Sequence, residues 1–237
     1  MPLEKNTQIT TQLNQIFAAH QVVLHHAEKS ELKIPLIFAG MAVYLCSNPD
    51  DFRPNCDKLS GDIDYVISKK DIPVWQEILQ IEFSHEQNVN FNGLVAKTRI
   101  NGIEMDFLAD AVIKKVVNDG GLSCRFFYDE LQPFTSPWQA SSFYHIDPAI
   151  LLYFKLLLGR GRDEGKFDFE DAAALILGAE IDAQHFFKVI FEKNKFSVRK
   201  AEIIASRLQR CVEINKKTSG FRKRYLRIAD ESDKCKQ

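Results

Sequence analysis

The chain has 237 residues, 45% of them hydrophobic and 27% charged, and its 31 Lys and Arg against 32 Asp and Glu leave a formal net charge of -1. This is the composition of an ordinary soluble globular protein, long enough for one large domain or two modest ones, and its near-neutral balance by itself points to no partner. Five cysteines, Cys46, Cys56, Cys124, Cys211 and Cys235, form no Cys-x-x-Cys pair, which argues against a disulfide framework and for reduced thiols in a cytoplasmic setting. The polar stretch Met1 to Thr10 lacks the apolar core of a signal peptide, and the most apolar run, Ala149 to Leu158, is broken by Lys155 and too short to span a bilayer.

In chain order, apolar residues at Ile9, Leu13, Ile16, Phe17, Val23 and Leu24 predict an amphipathic helix over Asn6 to Ala27. His20, His25 and His26 lack the spacing that puts two ligands on one helical face, and we read them as helix surface. Pro35 to Ala39 reads as a short apolar strand running into Gly40 and a helix over Met41 to Cys46. A glycine there lets backbone N–H groups approach phosphate closely. Ser47 to Lys58 reads as loop, with turn punctuation at Asn48-Pro49 and Arg53-Pro54.

A strand over Asp62 to Ile67 follows, then a helix over Ile72 to Ile81 with Asp71 as its N-cap. Val89 to Leu108 reads as two strands joined at Asn101-Gly102, the dipeptide suited to a tight hairpin. From Ala111 to Ser142 we expect a short helix at Val112 to Val117, a turn at Asp119-Gly120-Gly121, an aromatic strand around Cys124 to Tyr128 and a connection through Pro133 and Pro137. Phe126, Phe127, Phe134 and Trp138 are expected to be packing residues rather than a base-stacking platform.

Asp147-Pro148 opens a helical region, with Asp as cap and Pro at the first helical position. Helices are predicted over Ala149 to Leu158, Phe169 to Leu177, Ala183 to Glu192, Val198 to Ile214 and Phe221 to Ala229, with Asp168 as an N-cap. A domain boundary is expected near His145, giving an α/β domain over 1–145 and a helical bundle over 146–237. Lys195 to Gln237 carries an excess of eight positive charges, thirteen Lys and Arg against five Asp and Glu. Nucleic acid, an acidic protein and a membrane surface are the partners such a tail could meet, and a merely solvated helical face is the plain alternative.

The residues that carry chemistry centre on Lys58-Leu59-Ser60-Gly61-Asp62-Ile63-Asp64-Tyr65. Along a strand Asp62 and Asp64 point the same way, and two adjacent carboxylates repel unless a cation neutralises them. A hard divalent ion such as Mg²⁺ takes carboxylate oxygens and keeps positions open for phosphate. Asp106, in Gly102-Ile103-Glu104-Met105-Asp106-Phe107, lies on a strand that would bring a third acid to the same place if paired beside the first. Lys155 is a lone cation in an apolar helix, which must reach the surface or face an anion.

Strand, glycine turn, helix, Asp-x-Asp strand and a later strand with a lone Asp resemble the nucleotidyltransferase superfamily typified by DNA polymerase beta. The resemblance runs from about Pro35 through Leu175. It is closer to the branch that includes bacterial abortive-infection toxins, which carry a basic residue four places before the first Asp and a hydroxyl residue two before it, as Lys58 and Ser60 stand here. It implies an α+β fold, a mixed-sheet nucleotidyltransferase domain followed by a C-terminal helical bundle. It also implies transfer of a nucleoside monophosphate from an NTP to an acceptor hydroxyl of RNA, protein or a small molecule, with two Mg²⁺ ions held by Asp62, Asp64 and Asp106. Gly40, Ser60, Lys155, Arg160 and Arg162 would meet the nucleotide. Met41, where the family carries a small residue, and the long loop before Asp62 leave a second reading: a fold that has lost transfer and serves in nucleotide binding or toxin-antitoxin contact.

Overall fold

The computed structural model describes residues 2–47, 52–53, 59, 61–117, 120–138, 141–193 and 197–234. Within these the chain forms two compact units. The first takes Met1–Leu45, Asn55–Val112 and Phe126–Ile146. The second takes Cys46–Pro54, Ile113–Arg125 and Asp147–Gln237. The chain passes for the last time from one unit to the other between Ile146 and Asp147. The helical unit is not contiguous in sequence, however, because two earlier segments pack with it.

The first unit begins with α1 (Pro2–Lys29), longer than the predicted helix at both ends. Its strands are β1 (Leu36–Phe38), β2 (Asp62–Val66), β3 (Ser84–Gln87), β4 (Phe91–Ile100), β5 (Ile103–Val117, whose end from Ile113 belongs to the second unit), β7 (Phe134–Trp138) and β8 (Ser141–His145). They lie in the order β3-β4-β5-β2-β1-β8-β7, and β6 (Gly120–Phe126) pairs with β5 off this path. The sheet is mixed: β1 is antiparallel to β2 and parallel to β8, while β2 and β5 are parallel. Two short helices, α2 (Ala39–Cys46) and α3 (Ile72–Leu79), lie before and after β2 in the chain.

Hydrophobic alternation builds this core. Ile63, Tyr65, Met105 and Phe107 are fully buried on one face of β2 and β5, as period-two strands with one wet end require. Phe107 lies 5.2 Å from Tyr65 and 5.7 Å from Trp75, the one buried residue of α3. On α1 the buried positions among the described side chains are Leu13, Ile16, Ala19, His20, Val23 and Ala27, a helical stripe. His20 is therefore not surface: it shares the face of Ile16 and Val23, stacks on Phe143 at 4.6 Å and has Nδ1 2.7 Å from the Tyr65 hydroxyl.

Three strands escaped the sequence reading. β3 is Ser-His-Glu-Gln, exposed throughout, and has no apolar alternation because it is an edge. β7 and β8 occupy the expected proline connection, and β7 holds Pro137 because it lies at the other end of the strand order, where a missing N–H breaks no ladder. The helix expected at Val112 to Val117 is the continuation of β5, in keeping with its β-branched residues. The Asn101-Gly102 hairpin forms as predicted, with both residues at positive φ, 50° and 81°.

The second unit contains α4 (Pro148–Leu158), α5 (Asp168–Gly178), α6 (Ala183–Lys193), α7 (Val198–Ile214) and α8 (Ser219–Lys234). Asp147 caps α4 by accepting from the Ala149 N–H at 2.7 Å, with Pro148 at the first position. At the other end Gly159 takes the left-handed conformation with φ 54°. A Cβ there would come within 2.9 Å of the Arg207 guanidinium, which donates to the otherwise open carbonyls of Leu156 and Leu157. Phe186, Phe221 and Tyr225 form the aromatic centre, with ring centroids 5.5 and 5.9 Å apart. Tyr153 donates to the Ser123 carbonyl at 2.9 Å, one of the ties that bring the 113–125 segment into this unit. Among the described residues no helix is long and apolar enough to cross a membrane.

Candidate active site

Asp62 opens β2 and Asp64 follows two residues later, so both carboxylates leave the same face while Ile63 and Tyr65 go into the core. Parallel pairing sets Asp62 opposite Glu104 and Asp64 opposite Asp106, at the spacing of about 4.8 Å between neighbouring strands. Asp62, Asp64 and Asp106 are all half-buried, open to solvent and not sealed in the core. On the other side Phe38, the last residue of β1, stands opposite Asp64. The next residue, Ala39, turns the chain into α2 with φ 59°, a conformation that costs an L-residue about 1 kcal/mol or more. The strained position of the turn is thus Ala39 rather than Gly40, which is buried within α2. Met41 is 2% exposed and belongs to the core.

One residue at this face was absent from the sequence reading. Lys97 of β4 donates to Asp106 Oδ2 at 2.7 Å. A two-residue hairpin pairs its arms outward from the turn, so Arg99 meets Glu104 and Lys97 meets Asp106. Counting back from Asn101-Gly102 was the signal available. The bond to Asp106 raises the Lys97 ammonium above its ordinary pKa, with Glu86 and Asp64 adding to the effect.

The donor chemistry fits a hard divalent ion: two carboxylates side by side and a third in register, with open positions. The side chains do not converge in advance. Among the described residues no group of three or more His, Cys, Asp or Glu is placed to hold a metal ion, and Lys97 engages one oxygen of Asp106.

Lys58 and Ser60 lie outside the described residues. Lys155, Arg160 and Arg162 belong to the helical unit and meet carboxylates there. Lys155 is 5% exposed, with Nζ 2.8 Å from Asp171 and 3.4 Å from Asp168. Arg160 holds Asp168 through Nε at 2.7 Å, and Arg162 holds Glu170 at 2.6 Å. Asp168 is not an N-cap, since α5 starts at Asp168 itself and its carboxylate accepts from the Arg160 backbone and side chain. The lone cation of the apolar helix has thus found its anions inside the fold. Arg53, from the long loop, completes the cluster with a two-pronged contact to Asp171 at 2.6 and 2.8 Å. Burial pushes the Asp171 carboxyl up, but Lys155 and Arg53 outweigh it and leave the pKa lowered.

No protein-family model matches the chain, and no curated protein matches it either. Two solved structures are similar. A candidate nucleotidyltransferase from Thermotoga maritima superposes with a TM-score of 0.43 at 11% identity, over 61% of this chain and 87% of that one. An antigenic nucleotidyltransferase-like protein from Paracoccidioides brasiliensis superposes with a TM-score of 0.46 at 14% identity, over 88% of this chain and 92% of that one. The class that the described fold defines is a mixed-sheet α/β unit with an acidic strand face, joined to a helical unit.

Proposed function

We propose that the first unit is a nucleotidyltransferase domain that moves a nucleoside monophosphate from an NTP to an acceptor hydroxyl. What supports this reading is the parallel register that puts Asp64 beside Asp106, two residues on from the Asp62 pair. Asp62 and Asp64 would hold a divalent ion such as Mg²⁺, with Asp106 as the third ligand or the ligand of a second ion. Bound there, the metal supplies a Lewis acid for the phosphate oxygens. Asp106 accepts the proton of the acceptor hydroxyl as its oxygen bonds to the α-phosphorus, and the bond to the bridging oxygen breaks to release pyrophosphate. The finer assignments are a cytoplasmic setting and the toxin-type branch, which rests on Lys58 and Ser60.

The test is incubation of the protein with each labelled NTP, magnesium and a total cell extract. Label is expected in one component, and the Asp62→Ala, Asp64→Ala double variant is expected to lose it by at least about a thousandfold, as removal of the charge-stabilising groups of a phosphoryl-transfer site does. Full transfer by the double variant would refute the assignment.

The grip of Lys97 on Asp106 favours a second reading, a fold of this kind that binds nucleotide or a toxin-antitoxin partner without transfer. Magnesium-dependent NTP binding by calorimetry, with no label in any extract component, would select it.

A further inference from the structure

The most one-sided charge on the described surface lies in the helical unit. Between Asn215 and Ala229 the chain has six cations, Lys216, Lys217, Arg222, Lys223, Arg224 and Arg227, and no acid. Helical spacing sorts them. Thr218, Phe221, Tyr225 and Ala229 are buried, recurring every three or four residues, and they turn this side into the unit against Phe186 and Phe187. The opposite side carries Lys216, Lys217, Lys223, Arg224 and Arg227, all exposed. Gly220 stands in the same row with open space where a Cβ would be. Eleven residues separate the first cation from the last, about 17 Å at the helical rise.

Stability does not account for this row. Cations in the first turns of α8 oppose the helix dipole, and Lys223 and Arg227 are like charges four apart, which destabilises a helix. Among the described residues Lys216, Lys217, Lys223 and Arg224 make no ion pair, and Arg227 reaches Glu231 only at 3.7 Å, with 76% of its side chain exposed. The apolar side of its own helix is largely taken up, because Phe221, Tyr225 and Ala229 are buried and only Leu226 and Ile228 are left in part exposed. A membrane-surface helix needs its apolar face free to enter the lipid.

We infer that the outer face of Lys216–Arg227 binds a nucleic-acid strand through its phosphodiester backbone. Lysines and arginines in a row neutralise successive phosphates and release their counterions, which is the main source of sequence-independent affinity. No aromatic side chain stands among the cations on the exposed face, so base stacking and base readout contribute nothing, and RNA and DNA are bound alike.

The experiment uses the full chain and fluorescein-labelled 20-nucleotide single strands of one mixed sequence, as RNA and as DNA, read by fluorescence anisotropy from 50 to 300 mM salt. The expected result is affinity that falls with salt, with RNA and DNA within about threefold of each other. Lys223→Glu with Arg224→Glu should weaken binding at least tenfold at 100 mM salt and flatten the log–log salt slope by about 1.4, two single-strand contacts at about 0.7 each. Lys114→Glu with Lys166→Glu makes the same charge change at exposed sites of the same unit and should leave binding within about twofold, since it removes no phosphate contact. An equal loss in both double variants, a salt-independent affinity, or a strong preference for one nucleic acid overturns the inference. So does binding to phosphatidylserine vesicles that depends on Lys223 and Arg224 while neither strand binds. Both positions are exposed, so thermal unfolding should be unchanged. If the Glu pair melts early, Lys216→Gln with Lys217→Gln replaces it and must show at least a threefold loss.

Discussion

An ammonium 2.7 Å from a carboxylate competes with any other cation for the same oxygens, and Lys97 stands in that relation to Asp106. Replacing it with methionine keeps the length of the side chain and removes the charge. Lys97 is exposed, at 68%, and Asp106 half-buried, at 23%, so solvent screening on the lysine side keeps the worth of the pair near 1 kcal/mol or less. Lys97→Met is therefore expected to tighten Mn²⁺ binding by about three- to fivefold in a calorimetric titration, and unchanged affinity would mean that Lys97 does not compete. His20 sets a different residue-scale expectation. Burial lowers its pKa to about 4, against about 6.5 in an unfolded chain. Between these values the unfolded state binds more protons than the folded one, so stability is complete above pH 6.5 and is lost as the pH falls toward 4, by about 3 kcal/mol in all. Urea unfolding of the protein and of His20→Phe at pH 7.5, 6 and 5 should show the steeper fall in the protein with histidine.

Among the elements, α5 illustrates how a buried charge network is held. Asp171 is fully buried between Lys155 and Arg53, and the Arg53 guanidinium also lies over the Phe52 and Phe167 rings, 4.9 and 5.1 Å from their centroids. Truncating the central anion strands two cations in low dielectric, a cost of about 3–5 kcal/mol. Asp171→Ala is thus expected to lower the thermal midpoint by about 6–20 °C, since 1 kcal/mol corresponds to roughly 2–4 °C in a protein of this size, with calorimetry as the measurement. Through the same network Arg53, which precedes β2 in the chain, is a structural residue of the helical unit. Helix caps follow the local rule at Asp147 and depart from it at Asp71, which stands at the N-cap of α3 but spends its carboxylate on the Lys33 backbone N–H at 3.1 Å.

For the whole molecule the salient fact is that neither unit is one stretch of chain. A cut at the apparent boundary of 145 and 146 would separate Asp171 from Arg53 and Tyr153 from Ser123, contacts that lie within the helical unit. Its own charge is as unevenly distributed as its sequence, with an acid-free basic run over 216–227, just before and within the first turns of α8, in a chain whose net charge is only -1. Net charge predicts no polyanion binding for this chain, whereas the basic row does.

The local code determined a good part of this protein. Period-two alternation named β2, β4 and the first half of β5. Asn101-Gly102 named the hairpin between β4 and β5, Asp147-Pro148 named the start of α4, and the helical period named α7 to the residue. Asp62 and Asp64 were readable as a pair because a strand's side-chain direction is fixed by its backbone. What lies next to them was not readable, since pairing between distant strands depends on which faces can be buried together. Tertiary structure alone decided that β2 and β5 are parallel with Asp64 opposite Asp106. It likewise decided that His20 is core and that Lys155 has Asp171 and Asp168 as its anions. Each of these is a contact between residues far apart in the chain, and the free energy of such contacts is set by burial and charge in the assembled fold, which no local pattern records.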